Sequence, residues 1–186
     1  MITFFNKHKY LLVFICLLII VLIYFFLRQN ESSKQEIIES QQNQAKYESL
    51  APGKSTKEDV INKLGDPLKD NQNDTQFEFE SSSTERPHKV TLEENVVKLI
   101  KETVTLNDKK GIPDIQNEFG ETTHILYGDR SSAGFHLFVY PENGIAYIGQ
   151  TQSGLLLEVW YFPPTTFEEF KSNYAPGYTL TPQQSQ

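Results

Sequence analysis

Three histidines beyond the N-terminal stretch, and one set of aromatic side chains, are where this 186-residue sequence could carry chemistry. His88, His124 and His136 include no i,i+4 pair that would turn two imidazoles of one helix toward a metal ion. His124 and His136 are the imidazoles around which a small-ligand pocket or an enzyme's site would have to be built. Glu168 and Glu169 are adjacent, so a helix sends them about 100° apart, a poor arrangement for an acid/base pair. Asp129-Arg130-Ser131-Ser132 reads as a hairpin loop, and no nucleophile elbow, P-loop or dinucleotide fingerprint is present. The single Cys16 excludes an intrachain disulfide and a cysteine zinc site. The expectation is a non-catalytic protein with no cofactor and no metal.

The aromatic set is His136, Phe138, Tyr140, Trp160 and Phe162. These residues lie on the second faces of two alternating strands, Phe135–Tyr140 and Leu155–Phe162, whose other faces are apolar. Aromatic side chains on a rigid sheet desolvate a large area at little rotamer cost, so this face is a candidate protein-binding surface. The alternative is that the terminal helix over residues 165–174, or elements of the other half of the chain, cover it and make Trp160 and Phe162 core.

The elements that position these residues repeat. In LAPGKSTKEDVINKLGDP, Ser55 and Glu58 form a capping box, and Val60, Ile61 and Leu64 give one apolar face. Gly65 ends the helix and Pro67 prevents its resumption. Fifty-five positions later Asp59, Val60, Asn62, Leu64 and Gly65 are matched by Asp114, Ile115, Asn117, Phe119 and Gly120. VTLEENVVKLI (90–100) and VYPENGIAYI (139–148) then both read as strands around an acidic-Asn turn. The expected fold is therefore α+β, with two tandem helix-plus-antiparallel-sheet units, 50–106 and 107–175, and a flexible tail over 176–186.

The run Gly53-x-Ser55-x-x-x-x-Val60-x-x-x-Leu64-Gly65-x-Pro67 resembles the helix signature of the SmpA/OmlA (BamE-like) family. The tandem layout is similar to that of β-lactamase inhibitory protein, which binds its target across a sheet face. The resemblance implies a protein-interaction role in the cell envelope.

Ahead of these units, Tyr10 to Leu27 is uncharged and long enough for one membrane span. A cleaved signal peptide is the competing reading. The run is longer than a usual signal core, however, and Arg28-Gln29-Asn30-Glu31 offers no small-residue cleavage site. Lys7 and Lys9 favour a cytoplasmic N-terminus, with residues 1–28 forming the tip and span and the polar residues 29–49 a tether. All three residues Lys7, Lys9 and Arg28 precede the tether and no acid does, so the remainder holds 14 basic against 24 acidic groups. That balance excludes an electrostatically driven nucleic-acid binder. The expected protein is a single-pass, extracytoplasmic interaction module of the cell membrane whose partner is an envelope or extracellular protein. A ligand-binding protein or enzyme with a site near His124 and His136 is the alternative.

Overall fold

Two helices begin where short polar side chains offer acceptors to free backbone N–H groups. Thr56 caps the first, α1 (Lys57–Leu64): its N–H donates to Asp59 Oδ2 at 2.8 Å while its hydroxyl accepts from the Asp59 N–H. The expected Ser55–Glu58 box is displaced by one residue, because Ser55 Oγ is already accepting from the Ala51 N–H in the preceding turn. The second, α2 (Ile112–Phe119), starts from Gly111, whose N–H donates to Asp114 Oδ2 at 2.7 Å. Gly65 and Gly120 close the two helices at φ of 84° and 79°, a region that favours glycine.

The structure, a computed structural model, describes residues 43–70, 73–122 and 124–182. The expected cytoplasmic tip, the span over 10–27 and most of the tether lie outside the described residues. Among the described residues no helix is long and apolar enough to cross a membrane.

After α1 come β1 (Lys69–Asp70), β2 (Gln76–Phe79), β3 (His88–Glu93) and β4 (Val96–Thr103). After α2 come β5 (His124–Leu126), β6 (His136–Tyr140), β7 (Ile145–Gln150) and β8 (Leu155–Tyr161), followed by α3 (Phe167–Asn173). The β3–β4 hairpin turns at Glu94 and Asn95, both at positive φ, as the acidic-Asn pattern requires. All pairings are antiparallel, in the order β1-β2-β3-β4-β8-β7-β6-β5.

The expected pair of tandem units is therefore corrected to one eight-stranded antiparallel sheet with three short helices. The seam is β4 against β8, where Ile100, Lys101, Glu102 and Thr103 pair with Tyr161, Trp160, Val159 and Glu158. Joining the halves removes two edges that would each have left a row of unpaired N–H and C=O groups. It also merges their cores. On one face Val60 of α1 and Ile112 and Ile115 of α2 pack into a single cluster with Phe77, Val90, Ile100, Tyr147 and Val159. On the other face Phe170 of α3 packs with Leu137, Val139, Ala146, Trp160 and Phe162.

Both ends of the expected soluble region reach into this fold. Gln44 and Ala45, expected in the tether, are buried: Gln44 Nε2 donates to the Pro52 carbonyl, and the Ala45 N–H to the Asn143 carbonyl. Within the expected tail, Thr179 pairs with Tyr127 in both directions at 2.9 Å.

Candidate binding groove on the terminal-helix face

Strand register decides which side chains share a surface. Phe138 pairs through Tyr147 to Val159, and Tyr140 through Ile145 to Tyr161, all on the face covered by α1 and α2. Val139 pairs through Ala146 to Trp160 on the face covered by α3. The five aromatic positions thus split between opposite faces, and the expected binding surface is corrected. Phe138 is stacked on Tyr147 at 4.8 Å, and Tyr140 sits against Phe119 with its hydroxyl donating to the Gly120 carbonyl at 2.7 Å. Phe162 is fully buried against Phe170 and Tyr174, and Trp160 retains only 3% of its surface. His136, half-buried, lies edge-on to Tyr127 with its Nδ1 buried and without a hydrogen bond. The reason is that helices pack on both faces of this half of the sheet, so the second row of aromatics is needed for a second core.

His124 pairs with Val139 and stacks at 4.4 Å on Phe167 of α3, so it lies on the face opposite to His136. The two imidazoles around which a ligand site was the alternative expectation do not converge. Among the described residues no three His, Cys, Asp or Glu side chains approach closely enough to hold a metal ion.

The terminal-helix face continues past Trp160 onto β4, β3, β2 and β1, where no helix among the described residues covers it. One transverse row there runs Lys69, Glu78, Lys89, Lys101 and Trp160, each the register partner of the next. Five strands at sheet spacing make the row about 19 Å long. A groove of about 420 Å³ lies over its first four members, with Thr91 and Leu99 beside them. It meets at Lys101 a second cleft of about 380 Å³, walled by Trp160, Glu158, Arg130 and Tyr178.

Lys101 is the hinge of the arrangement. Its Nζ stands 3.7 Å over the Trp160 ring, and the indole N–H donates to Glu158 Oε2 at 3.0 Å. Lys89 reaches Glu78 at 3.7 Å, whereas Lys101 makes no salt bridge or hydrogen bond among the described residues. Burial draws the Lys101 pKa below its ordinary value; Glu158 opposes that shift and the like charge of Lys89 adds to it. The far wall is clipped in place by Tyr178, whose ring stands edge-on to Trp160 and packs over Gly128. A Cβ at Gly128 would come within 2.7 Å of that ring.

A second polar cluster sits on the other face. Glu102 Oε2 accepts from the Tyr161 hydroxyl at 2.8 Å and from Lys110 Nζ at 2.6 Å, and Lys110 also donates to the Tyr161 oxygen. Tyr47 packs against both Tyr161 and His88, and His88 Nδ1 accepts from the Thr103 N–H at 3.0 Å. Burial lowers the His88 pKa and, with Glu102 alongside, raises that of Tyr161. These groups satisfy one another and tie the N-terminal segment to the sheet, so the cluster is a structural clamp.

Sequence reasoning missed the lysine row. Its signal was present in the polar positions that alternate with Val90 and Ile100, but only the strand register shows that Lys89 and Lys101 are neighbours.

No protein-family model matches the chain, and no curated protein matches it either. Neither comparison supports the likeness of residues 53–67 to the SmpA/OmlA helix signature. Among solved structures the chain is similar to a DUF4309 family protein (YjgB) from Bacillus subtilis. The two share 13% identity at a TM-score of 0.46, over 70% of this chain and 94% of that one.

Proposed function

We propose that the chain is a non-catalytic protein-interaction module held at the cell membrane by residues 10–27, with the unit from Asn43 onward on the extracytoplasmic side. Its contact surface is the bare half of the terminal-helix face. The observation that carries this reading is the asymmetry of the sheet: among the described residues helices pack on both faces of β5–β8 but on one face only of β1–β4, whose other face carries an open charged row in a groove that meets the Trp160 cleft at Lys101. A rigid sheet displays such a row with no backbone left to order, which suits recognition of an extended protein segment. The basic residues Lys7 and Lys9 ahead of the apolar run support the orientation.

Site-specific photocrosslinking in native membranes tests it. With the full-length chain, a crosslinker at Thr91 on the bare half should trap a discrete adduct, and one at Ser172 on exposed α3 should not. Equal labelling from both positions, or none from Thr91, would overturn the proposal.

A further inference from the structure

Lys89 and Lys101 are direct cross-strand neighbours, a pairing of like charges that destabilises a sheet unless something neutralises it. Glu78 lies on the far side of Lys89, and the Glu158 carboxylate is engaged by the Trp160 indole, so neither sits between the two ammonium groups. The two ammonium groups line one groove in a module whose charge balance is otherwise acidic. Leu99, two residues before Lys101 on the same face, lines the groove beside them.

Resting on the reading of this face as a protein-contact surface, we infer that the partner presents an extended segment with an acidic side chain whose carboxylate bridges Lys89 and Lys101. An apolar side chain two positions away lies on Leu99. The geometry matches because side chains i and i+2 of an extended segment project to one side about 6.6 Å apart, the repeat that separates Leu99 from Lys101. A carboxylate placed there removes the Lys–Lys repulsion and gains charge-assisted hydrogen bonds from two ammonium groups. Because Lys101 also rests on Trp160, the bound carboxylate connects the open groove to the aromatic cleft.

The chain holds a single tryptophan, so Trp160 emission reports directly on its overlying ammonium. The full-length protein in non-ionic detergent is titrated with the blocked peptide acetyl-Leu-Ala-Glu-Ala-Leu-amide and with its Gln counterpart. The Glu peptide should give a saturable change in emission and bind at least about threefold more tightly than the Gln peptide, the scale of one partly exposed charge contact. The preference should fade in ~1 M salt. It should also vanish in Lys89→Met, which leaves the Lys101–Trp160 reporter intact and whose unchanged melting temperature shows that it folds. Equal affinities for the two peptides, or a Glu preference that survives Lys89→Met, would overturn the inference. If Thr91 crosslinks a partner while both peptides bind alike, the contact surface stands and the carboxylate specificity falls. If the Glu peptide is preferred while Thr91 traps nothing, the carboxylate site stands and its role in protein contact falls.

Discussion

The two halves of the sheet are built from similar strands but meet different surroundings. From β5 to β8 both faces carry packed helices, α1 and α2 on one and α3 with the residues after it on the other, where a cleft stays open beside Trp160. From β1 to β4 only the face toward the paired helices is sealed, and the other carries Lys69, Glu78, Lys89 and Lys101. The sealed half spends its aromatics on cohesion, whereas the half-bare one can vary its outer row with little loss of stability. On the proposed reading, stability and recognition fall to different strands of one continuous sheet, joined where Lys101 lies on Trp160.

The sharpest way to break that contrast is to remove an aromatic from the sealed half. Phe162→Ala leaves a void beneath Phe170 and Tyr174 and should cost about 3–5 kcal/mol in chemical denaturation. A loss below about 1 kcal/mol would mean that the second core is not cohesive. Gly128→Ala should cost about 1–3 kcal/mol by pushing Tyr178 off its seat, and the displacement should change Trp160 emission while the far-ultraviolet spectrum stays constant.

The sealed face of the half-bare strands carries its own signature. His88 has a folded pKa below its unfolded one of about 6.5, because burial disfavours the imidazolium. Between those two values the unfolded chain binds more protons. The contribution is therefore fully present above the unfolded pKa and is lost as pH falls toward the folded one. Stability measured from pH 7.5 downward should decline across that window. His88→Gln, which keeps an acceptor for the Thr103 N–H, should flatten the decline. The smallest effect belongs to the bare row. Lys89→Met should shift stability by no more than about 0.5 kcal/mol, because it removes the repulsion with Lys101 and the ion pair with Glu78 together. A large destabilisation there would show that the row is structural.

Local chemistry was legible in the sequence, and its three-dimensional assembly much less so. Caps and stops wrote α1 and α2 into Thr56–Gly65 and Gly111–Gly120, and the alternation of Leu137, Val139 and of Val159, Tyr161 announced strands. The position of the first cap slipped by one because Ser55, Thr56, Glu58 and Asp59 offer two overlapping boxes. What decides between them is the bond from the Ala51 N–H to Ser55 Oγ in the preceding turn. The faces were misassigned for a deeper reason. Alternation within a strand separates its two faces, but it does not say which face of β6 joins which face of β8; that is set by pairing through β7, which also contains a register shift at Ile148/Gly149. Two faces that are both aromatic then look alike. The lysine row was invisible because its members come from four strands and become neighbours only through the ladder.

The edges of the sheet set how closely such molecules can be crowded. β1 is two residues long and charged; β5 is three, and Thr179 occupies the backbone of the residue that follows it. Neither rim offers the long flat ladder that would template a further strand. Under the proposed anchoring, confinement to a membrane would raise the encounter rate between neighbouring copies, and with it the hazard of edge-to-edge polymerisation. Blunt rims lessen that hazard at its source.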